Sequence, residues 1–283
     1  MTIIYTYPLL FNYLSNMFQR KGLPLPGNYV TGNKDLASRF IDYPKGGNIH
    51  GKHTLKVLRD LNCFPETYFE LEKTPRNSDD SLFFLKPYKA DNSKGIKLFI
   101  GDQLPPLVPK NHMLQKEVVG TLYKGRKFDL RVLCCVSRTG NIMIYKNVLY
   151  RINPKQYVKS KKNIPDPSYH FTSPAITGSL ISFFEKVKPG EFPLSDYLNQ
   201  LKNIIPAIYE RLMPLTTKGV LEELSASFMI SGLDFIPDKS NQLKFLELNV
   251  TPGWDSNFGA DNHQEFYTLA TDFILNGKQN TAE

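Results

Sequence analysis

The stretch Gly232-Leu233-Asp234-Phe235-Ile236-Pro237-Asp238-Lys239-Ser240-Asn241-Gln242-Leu243-Lys244-Phe245-Leu246-Glu247-Leu248-Asn249-Val250-Thr251-Pro252-Gly253 reads as two strands around a polar turn. Apolar residues dominate both arms, and Asp238 to Asn241 supplies turn chemistry between them. Strict alternation along the second arm sets Phe245, Glu247 and Asn249 on one face and Leu246 and Leu248 on the other. A loop over 238–241 pairs Pro237 with Gln242, which puts Asp234 opposite Phe245 and diagonal to Glu247. Asp234, Glu247 and Asn249 then converge as hard oxygen donors, a set that suits magnesium beside a polyphosphate. The plain alternative is a solvated hairpin face. Against it, Glu247 and Asn249 interrupt an apolar run, where a polar group without a partner is costly to bury.

Upstream, Leu82 to Leu85 predicts a buried strand ending at Lys86 and Pro87, followed by a polar loop from Tyr88 to Lys94, then Gly95 and a second strand over Ile96 to Ile100. Lys86 and Lys94 flank that loop and can reach polyphosphate oxygens as point charges, although either alone is also an ordinary surface cation. Further strands are predicted at Leu114 to Val119, Phe128 to Val136 and Ile142 to Tyr150. Thr139, Gly140 and Asn141 form a turn signal between the last two. Lys127, Asp129 and Arg131 alternate with Phe128, Leu130 and Val132, so one acid and two bases share a strand face; a salt-bridged structural row is the competing reading. Apolar residues at three- and four-residue steps predict an amphipathic helix over Leu194 to Leu212, kinked at Pro206, and a terminal helix over Gln264 to Asn276.

The bulk properties bound the function. With 41% hydrophobic and 22% charged residues in 283, the chain carries a folded α/β core. No apolar run approaches the roughly 20 residues that span a bilayer, and the opening residues have no basic leader, so neither a membrane nor a secretory route is expected. Cys63, Cys134 and Cys135 fit neither a disulfide framework nor a zinc site, which points to the cytoplasm. Residues 78–188 hold 19 basic and 8 acidic side chains, a net +11, whereas 189–283 hold 6 and 13. A block of that sign draws acidic partners: nucleic acid, polyphosphate or an acidic protein tail. His50 and His53 lack a third ligand, and no Walker motif or serine–histidine–aspartate order is present.

The motifs also match in order. Phe245 to Gly253 with Gly232-Leu233-Asp234, Arg126-Lys127-Phe128-Asp129-Leu130-Arg131, Gln115-Lys116, Leu85-Lys86-Pro87 and Lys94-Gly95-Ile96 resemble the signatures of the tubulin-tyrosine-ligase-like family of the ATP-grasp superfamily. Leu149-Tyr150-Arg151 and His170-Phe171-Thr172-Ser173 are weaker echoes, and Ser173 stands where that family usually carries Asn. The resemblance spans about residues 62–255. It implies an α+β ATP-grasp fold that holds the nucleotide between two mixed or antiparallel sheet layers, divided into an N-terminal subdomain (1–77), a central subdomain with the phosphate loop (78–117) and a C-terminal subdomain with the metal site (118–283).

By the same resemblance, Lys86, Lys94, Gly95, Gln115, Lys116, Val118, Asp129, His170 and Thr172 bind ATP; Lys127, Arg131 and Arg151 are catalytic; and Asp234, Glu247 and Asn249 hold one or two magnesium ions. The implied activity joins a free amino acid (glutamate, tyrosine or glycine) to a carboxylate of an acidic protein or peptide such as the tubulin tail, through an acyl phosphate. Two alternatives stay open: a nucleic-acid binder using the basic block and its aromatics Phe83, Phe84, Tyr88 and Phe99, and a nucleotide-binding pseudoenzyme. The aromatics lie in strand-like runs that would bury them, the nucleic-acid reading gives Asp234, Glu247 and Asn249 no task, and the retained arginines and acids argue against a pseudoenzyme.

Overall fold

In the computed structural model the described residues are 52–75, 80–88, 95–137, 140–157, 166–172, 190–216 and 228–249, with parts of a helical stretch between 265 and 273. Expectations on residues 1–51, on Lys94, Ser173 and Trp254, and on the remainder of the terminal helix lie outside the described residues. The architecture is α+β, built on two antiparallel sheets.

The first sheet has four strands, β1 (Thr67–Phe69), β2 (Leu82–Pro87), β3 (Lys97–Ile100) and β4 (His112–Lys116), in the order β1-β4-β2-β3. Its apolar residues alternate between two small cores: Leu82, Phe84 and Ile100 on one face, Phe83, Leu85, Val108 and Leu114 on the other. Phe83, Phe84 and Tyr88 are buried and Phe99 packs against the second of these cores. The ring faces that a base-stacking platform would need are therefore spent on packing.

The second sheet contains β5 (Arg126–Ser137), β6 (Ile142–Ile144), β7 (Leu149–Gln156), β8 (Phe228–Pro237) and β9 (Leu243–Asn249). β5 is the spine: β8 pairs along one edge, while β6 and β7 share the other edge end to end. This splits the single strand expected over Ile142 to Tyr150. Between the two pieces the chain turns away, and Tyr145 donates its hydroxyl to Glu265 at 2.7 Å. The even residues of β5, Phe128 to Val136, pack with Leu233, Phe235, Phe245 and Leu248 against Tyr197, Leu201, Ile205, Ile208 and Leu212 of α1 (Leu194–Thr216). α1 runs through Pro206 unbroken. The odd residues Lys127, Asp129 and Arg131 are thereby left on the opposite face.

The hairpin departs from the expected register in two steps. Asp238 closes the turn on Gln242, donating from its N–H at 2.9 Å, with Asn241 left-handed (φ 58) and Asp238 Oδ1 accepting from the N–H groups of Ser240 and Gln242. Pro237 consequently faces Leu243 rather than Gln242. Then, although Asp234 and Phe235 are adjacent, their partners Glu247 and Phe245 are two apart, so Leu246 is an extra residue in a β-bulge. The bulge reverses the alternation. Phe245 joins Leu243 and Leu248 in the core, not the face of Glu247 and Asn249, and Asp234 stands directly opposite Glu247.

Candidate active site

The face of the second sheet opposite α1 carries a chain of cross-strand pairs, largely buried. Arg131 faces Asp234 in the β5–β8 register, and its Nε and one Nη donate to the two oxygens of Asp234, each at 2.8 Å. Arg151 faces Asp129 in the β5–β7 register, donates to its Oδ1, and reaches across to Asp234 Oδ2 at 2.9 Å. Thr172 donates its hydroxyl to the other oxygen of Asp129. On β9, Asn249 Nδ2 lies 3.3 Å from Asp234 Oδ2 and 3.5 Å from Glu247 Oε1. Burial alone would raise the carboxyl of Asp234, but Arg131 and Arg151 outweigh it and hold that carboxyl well below the usual range. Asp129 goes the other way: burial, with Asp234 nearby, outweighs the pull of Arg151 and raises it. Burial opposes the charge on Arg151, yet Asp129 and Asp234 raise it further.

The first sheet contributes Lys86, whose ammonium donates to Gln115 Oε1 at 2.6 Å; Gln115 in turn donates to Thr67 Oγ1 at 3.2 Å. Burial pulls Lys86 down to about 8 against the attraction of Glu247 and Asp234 across the gap. Lys86 of the first sheet and Lys127 of the second both stand over the ring of Phe84, 5.9 and 6.0 Å from its centre, so the two layers meet at this site. Gly95 precedes β3 with φ 72, a left-handed conformation that glycine adopts without strain. Lys116 ends β4 in an ion pair with Glu66 at 3.2 Å, and Val118 lies in the short link between the sheets.

Lys127 is placed one step aside from the arginines. Just upstream, Lys124 (φ 48) and Gly125 (φ 76) form a two-residue turn closed by paired hydrogen bonds between Tyr123 and Arg126, and this turn launches β5. The Lys127 ammonium pairs with Glu117 and sits 4.2 Å from the Tyr157 ring centre and 6.0 Å from that of Phe84. Tyr157 donates its hydroxyl to Glu117 at 2.7 Å and meets the buried His170 edge to face. The loop bearing His170 and Thr172 is pinned by Asn153, fully buried, whose amide donates to the carbonyls of Ser168 (2.9 Å) and Phe171 (2.6 Å). Sequence reading passed over Glu117, Tyr157 and Asn153. Glu117 had a signal, an acid directly after Gln115-Lys116 within the basic block; Asn153 had none, since its partners are backbone groups of a loop 15 and 18 residues on.

Among the described residues no three His, Cys, Asp and Glu side chains group for a metal. The residue types that converge here, two carboxylates and an amide, are ones magnesium accepts along with water and phosphate, but Asn249 turns its Nδ2 to both carboxylates and the two arginines hold Asp234, so taking up the ion requires the amide to turn over and the arginines to release Asp234. The site also balances its own charge, with Asp129, Asp234 and Glu247 against Lys86, Arg131 and Arg151. No helix among the described residues is long and apolar enough to cross a membrane. Cys134 and Cys135 are buried free thiols, and burial pushes both up.

Two antiparallel layers meeting at a lysine and a cluster of acids and arginines are the architecture of the ATP-grasp fold. The model of the tubulin-tyrosine ligase family matches residues 14–276, nearly the whole chain, and the chain belongs to that family. Ligases of this family use ATP with magnesium and act on amino acids and protein or peptide acceptors. A search of curated proteins returned no match.

Proposed function

We propose that this chain is an ATP-dependent ligase that joins glutamate, tyrosine or glycine to a carboxylate of an acidic protein or peptide through an acyl phosphate. The observation that carries the reading is the cluster of Arg131, Arg151, Asp129, Asp234, Glu247 and Asn249 on one face of the second sheet, close enough to Lys86 of the first sheet to attract its charge. Magnesium on Asp234, Glu247 and Asn249 would supply positive charge to the phosphate oxygens. Lys86, on the first sheet, and Lys94 grip the phosphates, with Gly95 giving the backbone room. Gln115, Lys116 and Val118 run along the nucleotide where the sheets join, and Asp129, His170 and Thr172 close the same side. Lys127, expected beside the arginines as a catalytic residue, pairs instead with Glu117, and we place it at the base end of this arrangement.

Arg131 and Arg151 hold Asp234 in the structure described here, and each guanidinium has five N–H donors in a fork that fits a carboxylate. Turned toward the substrate, they orient the acceptor carboxylate and neutralise the charge that develops on the acyl phosphate. Positioning and electrostatics carry the rate, so no covalent nucleophile is required of the chain. We assign residues 1–77, 78–117 and 118–283 to N-terminal, central and C-terminal subdomains. The basic middle block draws the acidic acceptor, the tubulin tail being one candidate, and the free thiols support a cytoplasmic setting.

The test is ADP release and amide formation, followed by mass spectrometry, with magnesium, ATP, acidic peptides and each amino acid in turn. Mass gain of one residue on a peptide supports the reading. ATP binding without amide formation for every combination would leave a nucleotide-binding pseudoenzyme in its place.

A further inference from the structure

Glu117 is buried, with 3% of its side chain exposed, and its two oxygens differ. Oε1 accepts from the Lys127 ammonium and from the Tyr157 hydroxyl. Oε2 is also buried and meets no donor among the described residues. A carboxylate oxygen stripped of water without a replacement donor is expensive, and such a group in a folded protein calls for a reason. The position of Glu117 supplies one. It is the first residue after β4, anchored by its N–H to the Leu82 carbonyl at 2.7 Å, so it stands at the junction of the two sheets.

The Phe84 ring relates this corner to the phosphate side. Lys86 Nζ lies 5.9 Å from its centre and Lys127 Nζ 6.0 Å. The corner holding Lys127 and Glu117 is therefore no farther from Lys86 than those two distances together, within the span of a nucleoside triphosphate. A nucleotide whose phosphates lie at Lys86 is therefore long enough to bring its base to Glu117.

We propose that Glu117 is a specificity residue of the nucleotide site, its Oε2 accepting a hydrogen bond from the 6-amino group of adenine. This rests on the ATP-dependent reading above and adds a base-reading contact to it. Beside the Lys127 ammonium, Oε2 forms an acceptor next to a donor. Adenine presents the complement on one edge, the N6 amine as donor and N7 as acceptor, whereas guanine and hypoxanthine present O6 and N7, both acceptors. A 6-oxo purine would set oxygen against the carboxylate.

The experiment measures affinities by calorimetry, with magnesium and no acceptor, for ATP, inosine triphosphate and the purine riboside triphosphate that has hydrogen at position 6. The wild-type chain is expected to bind ATP roughly tenfold or more tighter than either analogue, the size of a charge-assisted hydrogen bond. Glu117→Gln turns an acceptor into a donor, so the preference for ATP over inosine triphosphate should fall about tenfold or more, toward parity. Equal wild-type binding of the three triphosphates overturns the inference without recourse to any variant. An unchanged preference in a folded Glu117→Gln does the same while ATP binding keeps the ligase reading intact. Failure of the wild-type chain to bind any triphosphate overturns both.

Discussion

Arg131 and Asp234 stand opposite each other across β5 and β8, and one guanidinium grips both oxygens of the carboxylate at 2.8 Å. The residue expected to hold a metal is thus held first by an arginine expected to hold a substrate. Removing Arg131 leaves Asp234 buried with Arg151 and Asn249 as its remaining donors. Arg131→Gln should cost about 2 kcal/mol, less than full loss of a buried pair because Arg151 stays. The double variant with Asp234→Asn should recover part of that loss. The carboxyl of Asp234 is held below its unfolded value, so it contributes stability at neutral pH that is lost on acidification; Arg131→Gln should flatten that acid limb. Urea unfolding across pH checks both points, and an unchanged acid limb would remove Arg131 as the keeper of Asp234.

Glu247→Gln keeps the shape and removes one negative charge from the donor set. Glu247 is only partly buried and its hydrogen bond from Asn249 is long, at 3.5 Å, so the fold should tolerate the change to within a few tenths of a kcal/mol. Ligation should fall on the order of a hundredfold, and the magnesium concentration for half-maximal activity should rise. Unaltered magnesium dependence would show that the hairpin does not bear the metal.

Much of this arrangement was legible in the sequence because strands write their faces in alternate letters. Lys127, Asp129 and Arg131 could be assigned to one face from spacing alone, and the even residues Phe128 to Val136 are indeed the core face. Where alternation broke, reading failed. Leu246 adds one residue to β9, and nothing in an apolar run distinguishes a bulged leucine from a paired one, so Phe245 was set on the wrong face. The Asp238 turn moved the register by one more place through hydrogen bonds to two backbone N–H groups. Contacts between distant segments, such as Arg151 with both Asp129 and Asp234, depend on which strands become neighbours, and that order is not written locally.

Lys86 gives a pH prediction. Burial holds its ammonium at about 8, below an ordinary lysine, so the folded state binds that proton less tightly than the unfolded chain. The charged lysine costs stability below about pH 8, and the cost fades as pH rises through that value toward the unfolded pKa. A phosphate drawn against Lys86 favours the charged form, so ATP binding at about pH 8.5 should take up a fraction of a proton, and at about pH 6.5 almost none from this group. Calorimetry in buffers of different ionisation heats measures the uptake directly. Lys86→Arg should abolish the difference between the two pH values; if it persists, another group is responsible.

Arg151 offers the sharpest separation of binding from chemistry, because it is bonded to two carboxylates at once, Asp129 and Asp234. Arg151→Gln should therefore lower stability, by about 2–3 kcal/mol, through the acids it leaves behind. Asp129→Asn in the same chain should restore part of that stability by removing the unpaired charge, since Thr172 can still donate to the remaining oxygen. Ligation should not return with it. A guanidinium facing a developing acyl phosphate contributes on the order of 3 kcal/mol, about a hundredfold in rate, and no amide at position 129 replaces that charge. ATP affinity without acceptor, held by the lysines and the metal, should stay within a few-fold of wild type in Arg151→Gln. The measurements are a thermal unfolding curve, an ATP isotherm and a rate of amide formation for each of the three chains. Recovery of the rate together with stability would mean that Arg151 only scaffolds the two acids, and parallel loss of ATP affinity and rate would move it from the acceptor to the nucleotide.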